Sequence, residues 1–271
     1  MPNDRHRQYI RKVRADVGME PAWPPSADRR LGDVGVFRKG HFERKGTLKT
    51  LFGIDIENRP SKKNITVFHG DSKGSVQIHL NTGIGAGAAL VTADGSMVLE
   101  FGRANSVLFH AAGCRTEEIR NIDLVEKRMK ELHADKKWPR DHVVVTEVTH
   151  AERTTAIMCS RRNGRIALRA AADPAATGLD LLTATGGLQW TGGAAASLQV
   201  LSEGRLTPLY RARGMIRHWF REDEPGFLDD IDDEAEDGTE EWFVDYVSSE
   251  DFEADDYDEA TDDEATDDDG D

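Results

Sequence analysis

The apolar positions of this chain recur with two periods, and the shorter one dominates. Residues 141–172, DHVVVTEVTHAERTTAIMCSRRNGRIALRAAA, are rich in the β-branched residues that suit a pleated, half-buried surface. Val143, Val144, Val145 and Val148 open the stretch. Segments 154–159 and 165–168 flank Arg162-Asn163-Gly164, and Asn-Gly between apolar runs predicts a hairpin. Alternation returns at 75–80, where Val76, Ile78 and Leu80 interleave with Gln77 and His79. A run of small residues follows over 83–90, then a turn at Ala93-Asp94-Gly95. Met97, Leu99 and Phe101 repeat the pattern, and Val107, Phe109 and Ala111 carry it into a third strand. Shorter strands are predicted over 34–37, 41–45, 65–68, 188–190 and 196–201, with 208–217 closing the body. Loops fall in the proline-rich 19–30, in 58–64 and in 173–187.

The helical period occurs twice. Residues 4–17 place Tyr9, Ile10, Val13 and Val17 on one stripe, ended by Gly18. Thr116 is the expected N-cap of a second helix, with Glu117 and Glu118 in its first turn. Ile119, Ile122, Val125, Met129 and Leu132 would face the core, and Trp138-Pro139 ends the segment. Thr47 is placed to cap a short turn over 48–52. The pattern predicts an α+β fold: one twisted, mainly antiparallel sheet with packed helices, followed by a disordered acidic C-terminal tail.

Charge divides the 271 residues in two. The overall balance is −15, from 35 Lys and Arg against 50 Asp and Glu. Segment 222–271 holds 27 acidic residues and no Lys or Arg, which leaves 23 acidic residues against all 35 cations in 1–221. The body therefore carries +12 and the tail −27. We take 1–221 as a basic α+β body and 222–271 as an acidic appendage. The tail is too charged to fold alone, yet it holds apolar islands at Phe227, Leu228 and Ile231, at Trp242, Phe243, Val244, Tyr246 and Val247, and at Phe252 and Tyr257. Aromatic anchors in an acidic tract suit a docking segment attracted to a basic body. A solvated solubility tail is the plainer alternative. On the first helix, Arg5, Arg7, Arg11, Lys12 and Arg14 surround the apolar stripe. A basic amphipathic helix suits a membrane surface or a partner, and equally a surface helix packed on the sheet.

No catalytic constellation stands out. Gly70-Asp71-Ser72-Lys73-Gly74 fits the nucleophile-elbow spacing, but a strand-like segment follows where that motif needs a helix. Gly83, Gly85 and Gly87 lack the spacing of a phosphate loop. The nine histidines are scattered without metal-site spacing, and no cofactor is expected. Cys114 and Cys159 do not make a disulfide framework. The N-terminus lacks an apolar signal region and there is no long apolar run, so a soluble, cytoplasmic chain is expected. The strands at 75–111 have the alternation of a half-wet soluble sheet, which is also that of strands able to span a bilayer.

The order of these features is similar to that of bacterial gasdermins. Val144-Val145-Thr146-Glu147-Val148 resembles the VVTEV strand of gasdermin pore-forming domains. FERKGTLKTLF at 42–52 resembles their early hairpin, and GRLTPLYRARGMI at 204–216 resembles the strand that closes the domain. The resemblance covers 4–217. It implies a monomer that is autoinhibited in the cytoplasm until a protease removes the C-terminal segment. The freed body would bind anionic lipid, oligomerise and insert β-hairpins into the inner membrane, killing the cell in antiphage defence. On this chain it implies lipid contacts at Arg5, Arg7, Arg11, Lys12 and Arg14. Membrane-inserting residues would be Val76, Ile78, Leu80, Met97, Leu99, Phe101, Val144 and Val148, with 75–110 and 143–170 holding the two hairpins. Inhibitory docking would fall to Trp242, Phe243, Tyr246 and Val247. Cleavage is expected between 219 and 239, where exposed linkers are cut. The competing readings are a soluble binding module whose acidic tail docks a basic protein or mimics nucleic acid, and nucleic-acid binding by the basic body.

Overall fold

The computed structural model describes residues 5–63, 65–80, 96–170, 188–192, 196–202, 204–217 and 242–252. The small-residue run 83–90, the turn at 93–95, the segment 173–187, Phe227, Leu228, Ile231, Tyr257 and the expected cleavage region lie outside the described residues. The chain begins with helix α1 (Arg5–Val17), then β1 (Glu20–Pro21), β2 (Asp33–Arg38), β3 (His41–Thr47), helix α2 (Leu48–Phe52) and β4 (Asn58–Pro60). Next come β5 (Val67–Gly70), β6 (Val76–Leu80), β7 (Ser96–Phe101), β8 (Ser106–Ala112), β9 (Arg115–Ile119), helix α3 (Ile122–Ala134) and β10 (His142–Ala151). The remainder is β11 (Arg153–Cys159), β12 (Gly164–Ala170), β13 (Leu188–Gly192), β14 (Ala196–Ser202), β15 (Leu206–Arg217), β16 (Trp242–Val247) and a 3-10 turn at Ser249–Phe252.

Pairing is antiparallel throughout the described strands, as expected, but it distributes them over three sheets. The largest has β15 and β10 at its centre. Strand β10 pairs on its far side first with β2 and then with β9, and β3 and β4 extend those two. Strand β15 pairs on its outer side with β1 at 209–210 and with β16 at 212–217. The second sheet runs β14-β11-β8-β5 and the third runs β13-β12-β7-β6. Each strand of the second sheet is followed or preceded in sequence by the strand at the same place in the third. Three long strands are thus each broken at one level, at 71–75, 102–105 and 160–163, and β14 and β13 take the fourth place in the two sheets.

Two local expectations are corrected. Asn163 does adopt the left-handed backbone the Asn-Gly pair favours, with φ +54°. Yet β11 and β12 do not pair with each other. The turn carries the chain from the second sheet to the third. Likewise Thr116 caps no helix. Residues 115–119 form β9, held between β10 and β4, and the Thr116 hydroxyl meets that of Thr149 at 2.8 Å. Backbone partners on both sides outweigh a single cap bond, and α3 starts six residues beyond Thr116, at Ile122. Thr47 does cap α2, accepting from the Thr50 amide at 3.1 Å.

Apolar residues sort into faces accordingly. On one face of the large sheet, Val125 and Met129 of α3 pack with Val34, Leu48, Ile119 and Val144. Trp138 stacks on Phe52, ring centroids 4.6 Å apart. The other face gathers Phe37, Phe42, Val143, Val145, Val148 and Tyr210. The register slips between Val145 and Glu147, and this bulge returns Val148 to the Val143 and Val145 face. Helix α1 lies on the second sheet, burying Tyr9, Ile10 and Val13 against Phe68, Phe109 and Met158. The opposite face of that sheet, through Leu108, Ile157 and Cys159, packs with Met97, Leu99, Phe101, Ile166 and Leu168 of the third.

Candidate functional site

The body's outer edge accepts the tail because β1 begins only at Glu20, opposite Tyr210, with helix α1 running up to Val17 just before it, so β1 leaves β15 uncovered from Ala212 onward. Strand β16 takes over there, from Ala212↔Val247 to Arg217↔Trp242. Alternation in β15 places Arg211 and Arg213 side by side beneath it. Tyr246 lies over both, with the Arg213 guanidinium 4.2 Å and the Arg211 guanidinium 5.4 Å from its ring centre. The Tyr246 hydroxyl donates to Glu147 Oε1 at 2.7 Å. Burial pushes the Tyr246 phenol up, and the bond with Arg213 holds it partly back. Val247 is buried among Phe37, Phe42 and Tyr210, Val244 packs toward α3, and Phe252 reaches Phe37 at 5.7 Å. Phe243 is half-buried. Trp242 pairs through its backbone with Arg217.

The 3-10 turn then covers the end of α1. Arg14 Nη1 meets Glu20 Oε1 at 2.8 Å and Ser249 Oγ at 3.4 Å, and its other nitrogen pairs with Glu250. Glu20 and Ser249 are buried. Burial pushes the Glu20 carboxyl up, and the Arg14 bond only partly opposes this. A tail-docking surface therefore joins Arg14, Glu20, Glu147, Arg211 and Arg213 to Tyr246, Val247, Ser249, Glu250 and Phe252. Sequence reading picked out the tail aromatics but missed Ser249 and Glu250. Paired Arg211 and Arg213 at strand spacing were the available signal for the acceptor.

The candidate lipid contacts share one helix but not one environment. Arg5 and Arg11 are exposed and Arg7 is half-buried. Lys12 Nζ donates to Asn105 O at 2.6 Å, in the bend between β7 and β8. Burial, with Arg11 and Arg103 nearby, pushes the Lys12 ammonium down. Arg14 is taken by Glu20 and the tail. With Tyr9 and Ile10 in the core, the apolar stripe is spent on packing, so α1 is a surface helix of the body and offers only its cationic side outward.

The candidate inserting residues divide into two groups. Val76, Met97, Leu99 and Phe101 are buried in the fold-back of the third sheet on the second, with Ile78 packed beside them. Leu80 continues β6, opposite Met97. Val144 and Val148 sit instead at the centre of the large sheet, in two different cores. The pairings set β5 and β6 beside β8 and β7, and β11 and β12 beside β14 and β13. The bends are tied. Ser72, of the nucleophile-like motif, has φ +54° and bonds both backbone groups of Val107, at 3.2 and 2.8 Å. Its hydroxyl is a structural tie, not an exposed nucleophile. Ser75 and Ser106 hydroxyls meet at 2.9 Å, and Asp16 of α1 accepts from the Ser72 amide at 2.8 Å. Among the described residues no helix is long and apolar enough to cross a membrane, and no three potential ligands gather for a metal.

No family model matches the chain, and no curated protein matches it. Among solved structures it is similar to that of a bacterial gasdermin from Bradyrhizobium tropiciagri, at 15% identity over 77% of this chain and 86% of that one, with a TM-score of 0.32. The mainly antiparallel α+β architecture is read from the strand pairings themselves.

Proposed function

We propose that this chain is a membrane pore former held inactive by its own C-terminal segment. The observation that carries the reading is the folded-back pair of hairpins. Three strands break at one level, and the alternating apolar residues of the third sheet are packed against the second. Straightened, each of these strands exceeds the ~9–11 residues that cross a bilayer, and its third-sheet half carries one apolar and one polar face. The segments that resemble gasdermin pore-forming domains agree with this. On this reading a protease cuts between the body and β16, the tail leaves the β15 edge, and the +12 body meets an anionic inner membrane. Each Lys or Arg near such a surface contributes about 1 kcal/mol. Copies then assemble and insert both hairpins, and the permeabilised cell dies, which as an outcome suits antiphage defence.

The test uses the full chain with a protease recognition sequence placed within 229–237. Liposomes containing phosphatidylglycerol and a quenched dye are added at low salt, and the chain is cut in place. Dye release after the cut, and none before, is expected. Complete cleavage with the circular dichroism of the body retained and no release would overturn the pore reading. Release from the uncut chain would overturn the inhibition.

A further inference from the structure

We propose that Glu100 and Arg165 form a charge-balanced ring that lines the conduit and holds its ion preference near neutral. The inference rests on the pore-forming reading and assigns the water-facing side of its hairpins. Strands β6, β7 and β12 are in register, so that Gln77, Glu100 and Arg165 stand side by side at one level. The next level holds Ile78, Leu99 and Ile166. Leu99 and Ile166 are fully buried, while Gln77 and Arg165 are exposed and Glu100 is half-buried. The face carrying Glu100 is therefore turned away from the fold-back. On it, Arg165 Nη2 lies 3.2 Å from Glu100 Oε2, and His79 Nε2 lies 3.6 Å from the same oxygen.

Inserting these strands leaves little choice of orientation. A transmembrane strand turns its apolar face to lipid and its polar face to the lumen, and an arginine on the lipid face near the midplane costs about 2–4 kcal/mol. Met97, Leu99, Phe101, Ile166 and Leu168 must then face lipid, and Gln77, Glu100 and Arg165 must face water. Every copy contributes the same row at the same height, so the row closes into a ring around the lumen. Rings of carboxylates favour cations and rings of Arg favour anions. Here one Glu and one Arg per copy offset each other, so the intact ring has little net preference. Removing either one exposes the other.

The experiment records reversal potentials in planar bilayers containing phosphatidylglycerol, across a KCl gradient, after cutting the full chain in place. Dilute salt is used because screening extends over ~30 Å at 0.01 M but only ~10 Å at 0.1 M. The parent pore should reverse near zero. Glu100→Gln should shift reversal toward anion preference and Arg165→Gln toward cation preference, with both shifts shrinking as salt is raised. Gln77→Glu, at an exposed position of the same row, should move in the cation direction and reads the ring even where a Glu100 variant fails to assemble. Absence of conductance from the cut parent chain would overturn the pore reading itself. Parent conductance whose reversal is unmoved by Arg165→Gln and Gln77→Glu would overturn the ring alone.

Discussion

Replacing Tyr246 by Ala should loosen the tail without disturbing the body. The side chain makes three contacts that vanish together: a 2.7 Å hydrogen bond to Glu147 and stacking over Arg213 and Arg211. A hydrogen bond to a charged acceptor contributes about 1.5–3 kcal/mol when well shielded, and Tyr246 is 42% exposed, so the lower end applies. An exposed cation–π contact adds about 0.5–1 kcal/mol. The partners are not stranded. Arg211 Nε stays 3.6 Å from Glu147, and Arg213 keeps Glu126. The net cost is therefore about 2 kcal/mol, or roughly a 30-fold larger open fraction of the tail. Hydrogen exchange resolves this locally, since it reports opening free energies segment by segment. Amides of 243–247 should exchange roughly 30-fold faster, while those of β10 and of β15 at 206–210 stay unchanged. Tyr246→Phe keeps the ring contact and should show a smaller, roughly 5-fold effect. Exchange in 243–247 within twofold of the parent for the Ala variant would refute the assignment of Tyr246 as an anchor.

Three further outcomes follow from buried groups. Gly35→Ala would set a Cβ 2.2 Å from the Glu43 carbonyl oxygen and 2.6 Å from Phe42, so urea unfolding should show a loss at or above the usual ~1–3 kcal/mol of overpacking. Arg14→Ala strands the buried Glu20 carboxylate and should cost ~3–5 kcal/mol, whereas Arg14→Met with Glu20→Met should recover most of it by the same measurement. The buried His110, beside His69 and Arg153, has its pKa pushed down from 6.5 to about 4 by burial first and by those neighbours second. The unfolded chain therefore binds the extra proton between these values, and stability falls as pH drops from 6.5 toward 4, by up to about 3 kcal/mol. Urea midpoints across this range should fall more steeply for the parent than for His110→Gln.

The parts of this fold legible in the sequence are those set by neighbours along the chain. Val76, Ile78, Met97, Leu99 and Phe101 declare their faces because a strand alternates whatever it pairs with. Thr47 declares its cap because the acceptor lies three residues away. Asn163 announces a left-handed turn, but a turn residue does not say which sheet the next strand joins. The Thr116 hydroxyl has a suitable cap geometry in sequence terms, yet it binds Thr149, 33 residues distant. Nothing local to Val144 and Val148 announces the bulge at 145–147 or the pairing with β15 that place them in the centre of the large sheet. The tail shows the same division. Tyr246 and Val247 are visible as anchors, whereas their acceptor exists only because β1 begins at Glu20, just after helix α1, and leaves the edge of β15 open from Ala212 onward.

Helix α1 touches every part that must move on the pore-forming reading, and the strengths of its contacts rank them. Arg14 holds the tail through Glu250 but also holds buried Glu20. That second pair, at ~3–5 kcal/mol if broken, exceeds the ~1 kcal/mol offered by an anionic surface to one cation. A lipid headgroup therefore cannot take Arg14 from Glu20, and departure of the tail frees only one side of its guanidinium. Lys12 differs. Its tie to the Asn105 carbonyl is a hydrogen bond from a half-buried ammonium, with neighbouring Arg11 and Arg103 disfavouring its charge there. A single such bond is worth on the order of 1–2 kcal/mol, which one phosphate can match while also relieving the repulsion. On the pore-forming reading, Lys12 is then the residue through which an anionic surface would act on the β7–β8 bend. The other tie, in which Asp16 accepts from the Ser72 amide, would be weakened by the same anionic surface, because it would repel the carboxylate that makes it.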